Sequence, residues 1–341
     1  MGKLARFLKG LLIALAVIAV CLYAVLEFYP MMNDRALSYY AEDAASSWMK
    51  DLPDDRLLSD ISIPGVHDAA ANETQLRLLT KCQDKDLGAL LKDGFRYLDI
   101  RLGAEEKNGQ KDLTFYHGFL HCLGGAFPWS PHLTFEDAAK ACGDFLTQNP
   151  TETVLFVVKQ EHGSESAAEF ENLLNDLIQR SETKDQWLLT DRIPTLKEAR
   201  GKIVLFRRYK DEAGLKEKAG IYIDWEDQGN RAEEGSVPGI VSEEKDTFLL
   251  FIQDRYKYDA KDKWQVFADA VKEGSAKKQP EDVLINFLST NGSASYGHPY
   301  KPAAVLNKQL LDEETGNALC GWTVVDFGDM LLAKRIYDMN R

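Results

Sequence analysis

The chain has 341 residues, of which 45% are hydrophobic and 28% charged, so it is neither disordered nor fibrous and can bury a substantial core. Its formal net charge of −13 argues against sequence-independent binding to the nucleic-acid backbone, and no nucleic-acid partner is expected. The length accommodates one large domain or two ordinary ones.

The N-terminus carries a membrane-insertion signal. Residues 10–26 form an uncharged apolar run that follows Lys3, Arg6 and Lys9, and basic residues mark the end that stays inside. The run is shorter than the ~20 residues that cross a bilayer comfortably, so an uncleaved anchor and a cleaved signal peptide are both open. Because no good cleavage site follows, residues 1–30 are predicted to be a transmembrane signal anchor. The rest of the chain would then lie outside the cell, or be secreted if the signal is cleaved.

The cysteines argue against zinc. Besides Cys21, the chain has Cys82, Cys122, Cys142 and Cys320, an even number that an oxidising compartment could pair. Their spacings show no Cys-x-x-Cys or Cys/His metal pattern. Disulfides are therefore open, and their connectivity cannot be deduced from the sequence.

Residues 31–56 are predicted to be a linker or a lead-in helix, with a helical pattern over 36–50. After them, apolar or β-branched runs predict eight strands, at residues 61–66, 97–102, 113–116, 154–158, 203–206, 248–252, 283–288 and 322–327. Helical patterns separate most of these runs, at residues 73–92, 135–147, 166–180, 262–273, 302–312 and 330–340. Eight strands with crossover helices over about 280 residues predict an α/β fold, an irregular (β/α)8 TIM-type barrel spanning residues 57–341. Residues 221–225 lack a clear neighbouring helix, so the irregularity is expected there.

Polar residues end the predicted strands. Because the active site of such a barrel lies at the carboxyl ends of its strands, these residues are the candidates for chemistry. They are His67 with Asp68, Arg101, His117, Lys159, Arg208, Asp254 with Tyr256, Asn286 with Ser289, and Asp326.

A pair of histidines, His67 and His117, ends two different strands. In-line attack of a hydroxyl on a phosphodiester needs one group that takes a proton and another that gives one. Arg101 can hold the phosphate by two parallel hydrogen bonds, or it can form a salt bridge with Asp68 or Asp99. Asp326 is a candidate to orient His67 and to stabilise its cation.

The strand motifs as a set resemble one family. They are residues 61–68 (ISIPGVHD), 94–102 (GFRYLDIRL), 115–118 (FYHG), 149–154 (NPTETV) with 159–161 (KQE), 201–209 (GKIVLFRRY), 252–257 (IQDRYK), 285–287 (INF) and 322–327 (WTVVDF). In this order they resemble the bacterial phosphatidylinositol-specific phospholipases C, whose barrel is similar to the X domain of the eukaryotic enzymes. The resemblance covers the chain from about residue 57 onward.

The resemblance implies a role for each candidate. His67 would be the general base toward the inositol 2-hydroxyl, with Asp326 as its orienting partner, and Arg101 would bind the phosphate. His117 would be the general acid toward the diacylglycerol oxygen, with Asp68 assisting. The inositol ring would be held by Lys159, Arg208, Asp254 and Tyr256. The implied products are diacylglycerol and inositol 1,2-cyclic phosphate, from phosphatidylinositol or a glycosylated form of it.

No metal or other cofactor is expected. Calcium-dependent relatives place acidic ligands at the end of the second strand, where this chain has Arg101, and Asp99 alone falls short of the acidic pair that a metal-dependent phosphodiesterase would need. The chain departs from the family at Val66, where Thr is usual, and at Ala69, where Ser is usual. Neither residue is a reacting group, so the chemistry is expected to survive, although hydrogen bonds around the site can differ.

Two other functions stay open. One is a catalytically silent surface barrel that binds a lipid or a sugar phosphate, and the other is a metal-dependent phosphodiesterase with a different headgroup. The complete set of His67, Arg101, His117 and Asp326 favours the enzyme, because a silent relative would be expected to have lost one of them. The expected partners are the lipid substrate and a membrane surface, and the chain is expected to be a monomer.

Overall fold

The computed structural model of the chain describes residues 2–38, 42–107, 109–229, 240–292, 297–312 and 321–340. The α-helices in these residues are α1 Lys3–Asn33, α2 Arg77–Thr80, α3 Leu87–Asp93, α4 Phe135–Gln148, α5 Ala167–Arg180, α6 Leu196–Ala199, α7 Ala260–Lys277, α8 Tyr300–Asp312 and α9 Met330–Tyr337. The strands are β1 Ile63–Val66, β2 Tyr97–Lys107, β3 Gln110–His117, β4 Leu120–His121, β5 Val154–His162, β6 Trp187–Leu188, β7 Ile203–Arg207, β8 Ile221–Tyr222, β9 Val241–Glu244, β10 Leu249–Gln253, β11 Val283–Phe287 and β12 Trp322–Val325.

A parallel sheet forms the centre of the molecule. Its strands follow the order β8, β7, β5, β2, β1, β12, β11 and β10. The short β6 also pairs parallel with the start of β7, and β9 is added antiparallel to β10. Every residue of β1, β11 and β12 is buried, as expected for strands that are covered on both faces. In the described part of the chain no pairing joins β8 to β9 or β10, so the hydrogen-bonded sheet stays open there. The opening lies at the two-residue strand β8, within the segment predicted to be irregular.

The prediction that the third apolar run forms a parallel strand of the barrel is wrong. Residues 113–116 belong to β3, which runs antiparallel to β2 with Leu102 opposite Phe115. The eighth parallel strand is instead β8. The physical reason is that β2 continues beyond the barrel to Lys107 and the chain reverses at Gly109, whose φ of +77° suits glycine. This hairpin brings His117, at the end of β3, back to the carboxyl ends of the parallel strands.

Two helix predictions also need correction. The predicted helix at 73–92 is two short helices, α2 and α3, separated by an extended segment. The Gln83 side chain in that segment donates to the carbonyl oxygens of His67 and Val325, so tertiary hydrogen bonds override the helical pattern. The predicted helix at 36–50 is a 3-10 helix at Asp43–Ser47, and residues 39–41 lie outside the described residues.

The longer helices agree with the sequence patterns. Thr134 caps α4 and Ser166 caps α5, each through a reciprocal capping box that satisfies backbone groups at the helix start. The amphipathic helices α4, α5, α7, α8 and α9 all match predicted segments to within a few residues.

One helix has the length and composition of a membrane span. It includes the segment Leu4–Asn33, with a mean hydropathy of 2.7 in its most apolar window, and only 6% of that window is buried. A signal sequence meets the same criterion. The described cysteines are free thiols, with Cys82, Cys122 and Cys142 buried, and Cys320 lies outside the described residues.

Candidate active site

A cavity of about 540 Å³ opens at the carboxyl ends of the parallel strands. Eight of the nine predicted site residues line it: His67, Arg101, His117, Lys159, Arg208, Asp254, Tyr256 and Asp326. The ninth, Asp68, is fully buried behind the His117 ring, which it contacts. The structure therefore brings the whole predicted set together at one place.

The His67 ring is held by two partners. Its Nδ1 lies 2.8 Å from Oδ1 of Asp326, and its Nε2 lies 2.9 Å from Nη2 of Arg101. Because a guanidinium only donates, Nε2 accepts and the ring proton lies on Nδ1, where Asp326 accepts it. Burial acts to lower the pKa of His67, but the Asp326 carboxylate outweighs it and the net pKa is raised. The neutral ring thus directs the lone pair of Nε2 toward Arg101.

Arg101 connects His67 to two carboxylates. Its Nε donates to Oδ2 of Asp99 at 3.1 Å, and its Nη1 donates to Oε1 of Glu161 at 3.4 Å. Burial would raise the pKa of both acids, yet the cations around them prevail. The pKa of Asp99 falls below its ordinary value through Arg101 and Arg208, and that of Glu161 falls to about 2 through Arg101 and Lys159. Both acids are therefore charged and fix the guanidinium plane.

His117 faces a second carboxylate. Its Nδ1 lies 2.6 Å from Oδ2 of Asp68, and the Cys82 sulfur lies 3.7 Å from the same nitrogen. Neither oxygen of Asp68 makes an aligned hydrogen bond, so this contact is an electrostatic one. Asp68 adopts a left-handed backbone with φ of 43°, a conformation that few residues other than glycine tolerate as well as Asp and Asn do. The site thus contains two His–Asp pairs.

Lys159, Arg208 and the indole of Trp225 line one side of the cavity, which is called the far side below. Lys159 Nζ lies 2.7 Å from Oε2 of Glu161, and the Arg208 guanidinium stacks 3.5 Å from the centre of the Trp225 ring. Arg208 also lies 3.7 Å from Asp99, while its Nε and Nη1 atoms make no hydrogen bond. This side of the cavity therefore offers charged donors that are already oriented.

The far side of the cavity also presents hydrogen-bond acceptors. Asp254 Oδ2 accepts from the Trp225 indole at 3.0 Å, and the Tyr256 hydroxyl donates to Oδ1 of Asp227 at 3.0 Å. Burial, together with Asp227, raises the pKa of Tyr256 to about 12, so the phenol stays protonated. Asp254 keeps its second oxygen for another donor.

Sequence reasoning missed several residues that shape this site. Trp225 and Asp227 follow a strand too short to be recognised, and Cys82 lies in a segment that was predicted to be helical. Glu161 belongs to one of the quoted motifs, but its contact with Arg101 spans two strands and has no signal in a single sequence. Of the other strand-end candidates, Ser289 lines the cavity, whereas Asn286 is buried and bonds to Gln253 and to the Phe267 carbonyl.

The cavity is poorly suited to a cation. Two groups of three could supply ligand atoms, His67 with Cys82 and Asp326, and Asp68 with Cys82 and His117. They share the thiol of Cys82, whose pKa burial raises well above its ordinary value, and the thiolate is the form that binds metals. Arg101 already occupies Nε2 of His67. A third group in the described part of the chain, Glu105 with His121 and His132, lies outside the cavity; its ligand atoms lie within 4.8 Å of one another, and its two imidazole rings stack 3.5 Å apart.

Three comparisons place the chain among known proteins. Residues 56–209 match the family described as phosphatidylinositol-specific phospholipase C, X domain. The chain is 30% identical over 321 residues to a 1-phosphatidylinositol phosphodiesterase of Staphylococcus aureus, and the match covers 85% of this chain and 92% of that protein. A second protein of that name, from Listeria monocytogenes, is 30% identical over 168 residues, 46% of this chain and 47% of that protein.

Solved structures agree on the fold. A variant of the Staphylococcus aureus phosphatidylinositol-specific phospholipase C superposes with a TM-score of 0.72 at 23% identity, covering 89% of this chain and 99% of that one. The Listeria monocytogenes phosphatidylinositol-specific phospholipase C superposes with a TM-score of 0.65 at 24% identity, covering 87% and 99%. The predicted irregular TIM-type barrel is thereby confirmed, and the chain belongs to the bacterial phosphatidylinositol-specific phospholipase C family.

Proposed function

We propose that the chain cleaves phosphatidylinositol, or a glycosylated form of it, to diacylglycerol and inositol 1,2-cyclic phosphate without a metal ion. The observation that carries the proposal is the pairing of each cavity histidine with its own buried carboxylate, His67 with Asp326 and His117 with Asp68, while Arg101 contacts His67. Such an arrangement can move two protons in one displacement on a phosphodiester.

His67 is the base of this reaction. Its Nε2 accepts from Arg101 in the structure, so Arg101 must first transfer that hydrogen bond to the phosphate. The freed Nε2 lone pair then takes the proton of the inositol 2-hydroxyl as that oxygen attacks the phosphorus, and Asp326 stabilises the imidazolium that forms. Because the attacking hydroxyl belongs to the substrate, it is held beside the phosphorus, and no metal is needed to generate a nucleophile.

His117 and Arg101 act on the other atoms of the phosphodiester. A protonated His117, stabilised by Asp68, gives its proton to the diacylglycerol oxygen as the phosphorus–oxygen bond breaks. Arg101 donates to the phosphate oxygens, and Asp99 and Glu161 hold its guanidinium plane in place. The protons balance, since one leaves the 2-hydroxyl and one reaches the leaving oxygen.

The far side of the cavity binds the inositol ring. Lys159 and Arg208 donate to ring hydroxyls, Asp254 accepts from one, and Tyr256 stacks on the ring. A choline or ethanolamine headgroup would leave these polar groups unpaired, which costs affinity. The substrate is therefore an inositol lipid at a membrane surface. Because all the proposed site residues come from one chain, a monomer is sufficient for the reaction.

The other two functions are less well supported. A silent binding barrel has no need for two histidines that each have a buried carboxylate partner. A metal-dependent phosphodiesterase would have to place its cation beside the Arg101 guanidinium, against like charge.

Phosphorus NMR tests the reaction directly. The full-length protein in detergent is incubated with phosphatidylinositol micelles and excess chelator, with His67→Ala as the control, and the signal of a five-membered cyclic phosphate is expected only with the unaltered protein. Cleavage that needs an added divalent ion would favour the metal-dependent alternative. Binding of the micelles without turnover would favour the silent barrel.

A further inference from the structure

The α1 helix divides into an exposed part and a docked part. Residues 4–23 are exposed along their whole length, whereas Glu27, Pro30 and Asp34 are buried on one face. These positions are spaced as neighbours on one side of a helix. The uncharged run of residues 10–26 is about 26 Å long at 1.5 Å per residue, close to the thickness of a bilayer's hydrocarbon core. Glu27 would then lie at the level of the headgroups.

A buried ion pair holds the docked part. Nη1 of Arg77 in α2 lies 3.3 Å from Oε2 of Glu27, and the two side chains are 0% and 1% exposed. The other oxygen of Glu27 accepts from the backbone N–H of Leu76 at 2.8 Å. Both carboxylate oxygens are therefore satisfied by α2 and by the residue just before it, which fixes the direction of α1 relative to the barrel.

A second link lies at Asp34, the residue that directly follows the end of α1. Nε2 of His298 lies 2.6 Å from Oδ2 of Asp34, and Lys81 Nζ donates to the Asp34 carbonyl oxygen at 3.2 Å. This link joins α1 to the segment before α8, so α1 is attached at two separate places.

Both attachments lie at the mouth of the active-site cavity. Leu76, Leu79 and Thr80, around the Glu27 contact, line the cavity, and Gly297 and Pro299, which flank His298, line it as well. The two segments that bind the end of α1 therefore also line the cavity, and this part of the cavity is called its mouth below.

Exposed aromatic side chains lie beside the same mouth. Phe119 lines the cavity and is 70% exposed, while Phe127 and Trp129 stack on each other and are 52% and 77% exposed. Arg77 also donates to the carbonyl oxygen of Ala126, so the loop that carries this aromatic pair is bound to the residue that binds Glu27. Aromatic rings of this kind favour the membrane interface.

We propose that α1 clamps the catalytic mouth against the bilayer in which α1 itself is embedded, so that the enzyme acts on lipid of its own membrane. This inference rests on the proposed function and on α1 remaining in the mature protein. A flexible tether would only raise the local concentration of enzyme, whereas the clamp also sets the orientation. The occupant of the aromatic surface is the outer leaflet of the same membrane, with phosphatidylinositol entering between α2 and the 297–299 segment.

The test compares two lipid populations in one tube. Full-length protein in vesicles that contain phosphatidylinositol with one acyl label is mixed with protein-free vesicles that carry another label, and labelled diacylglycerol from each is counted. We expect cleavage in the protein's own vesicles to be at least tenfold faster. Glu27→Ala should reduce that rate at least threefold while leaving cleavage of detergent micelles unchanged. Glu42→Ala, which removes an exposed carboxylate outside α1, should change neither rate.

Two further variants guard against misfolding. Glu27→Ala leaves Arg77 buried and unpaired, so Glu27→Ala/Arg77→Ala, which removes both charges, and Asp34→Asn, which weakens the second link, are assayed in parallel. Micelle cleavage reports whether each variant has folded. Equal cleavage of the two vesicle populations would overturn the proposal, as would an unchanged own-vesicle rate in all three folded variants.

A readout without turnover separates this proposal from the proposed function. If the wild-type protein did not cleave micelles, the proposed function would fail, but the orientation could still be measured. Lipids brominated near the headgroup should quench tryptophan emission of the reconstituted protein, and Trp129→Phe should lose most of that quenching. Quenching that is the same in Trp129→Phe would place the mouth away from the bilayer and contradict the clamp.

Discussion

The two cavity histidines differ in their partners, and this difference makes their proposed roles separable. His67 contacts Arg101 and Asp326, whereas His117 contacts Asp68 and the neutral thiol of Cys82. Replacing either with Ala should lower the rate roughly 10²-fold or more, the scale of general acid–base catalysis. An aryl ester of inositol phosphate has a leaving group that hardly needs a proton. It should therefore restore much of the activity of His117→Ala while His67→Ala stays slow.

Initial rates on the natural and aryl substrates give this comparison directly. The opposite pattern, with the aryl substrate restoring only His67→Ala, would mean that base and acid are reversed. If neither substitution mattered, the two-proton mechanism would be wrong.

Asp326 should set the pH at which the base works. The pKa of His67 is raised, because the Asp326 carboxylate outweighs the effect of burial, and the base is active only when neutral. The acid limb of kcat/KM should therefore lie above the ordinary histidine value of about 6.5. Asp326→Asn removes the charge that raises this pKa, while burial and Arg101 still lower it. The limb should move to lower pH and the maximal rate should fall.

The pH profile of kcat/KM for both proteins checks this sign. Asn is the matched replacement because it keeps the shape of the side chain and one acceptor oxygen while removing the negative charge. A limb that stays in place, or that moves to higher pH, would show that Asp326 is not the partner that raises the pKa of His67.

At the scale of single residues, the sequence predicted which polar side chains meet in the cavity, but it did not predict the residues around them. His67, Arg101, His117 and Asp326 were recognisable because polar residues at the ends of apolar runs meet at one edge of a parallel sheet. Glu161 and Trp225 were not, since a contact between distant strands and a two-residue strand leave no periodic signal. The irregular segment around Trp225 was noticed only as an absence of pattern.

Among the secondary-structure elements, local signals decided what could be predicted. Helices α4 and α5 have capping boxes and an apolar face, so pattern and structure agree. The strand pattern in β3 was also correct, but its direction depends on the turn at Gly109 and on pairing with β2, which are tertiary facts. The 73–92 segment failed for a related reason, because Gln83 bonds to the ends of β1 and β12 instead of continuing a helix.

One buried ion pair holds several elements together and is predicted to be structural. Arg96 precedes β2 and pairs with Glu152, which precedes β5, and both side chains are fully buried. Arg96 also donates to the carbonyl oxygens of Leu91 and Ser46, so α3 and the lead-in segment depend on it. Glu152→Ala leaves a buried guanidinium without its counter-ion and should lower the free energy of unfolding by about 3–5 kcal/mol.

Urea unfolding of the full-length protein in detergent measures this loss. The matched control is Asp144→Ala, which breaks the exposed pair with Lys140 on α4, with side chains 60% and 57% exposed, and should leave the free energy of unfolding nearly unchanged. Similar losses in the two variants would show that burial does not distinguish the pairs. Similar losses would also mean that the buried ion pair does not explain why the motif at residues 149–153 (NPTET) contains Glu152.

On the scale of the whole molecule, the distribution of charge makes an anchor useful. The first 30 residues contribute +2 to the net charge, so the rest of the chain carries −15. An anionic bilayer repels such a domain within about 8 Å, the screening length at physiological salt, and the repulsion fades beyond it. A helix that holds the cavity mouth within this distance removes the barrier to approach. The apolar length of α1 and the negative charge of the domain are therefore both consistent with an anchored enzyme. The sequence could not reveal that the end of this helix docks at the cavity mouth.

The retention of α1 is itself open to measurement. The docked residues are compatible with both outcomes, because cleavage near Ala24 would remove the exposed residues 4–23 and leave Glu27 bound to Arg77. If α1 is an uncleaved span, the intact protein should stay in the membrane fraction after an alkaline wash, and the mass of its N-terminal peptide should include residues before Ala24. A protein held only by the aromatic surface would be released by the same wash, because a peripheral contact does not cross the hydrocarbon core. Recovery of a form that begins near Val25 in the medium would show that α1 is a cleaved signal, and the enzyme would then reach its lipid from solution.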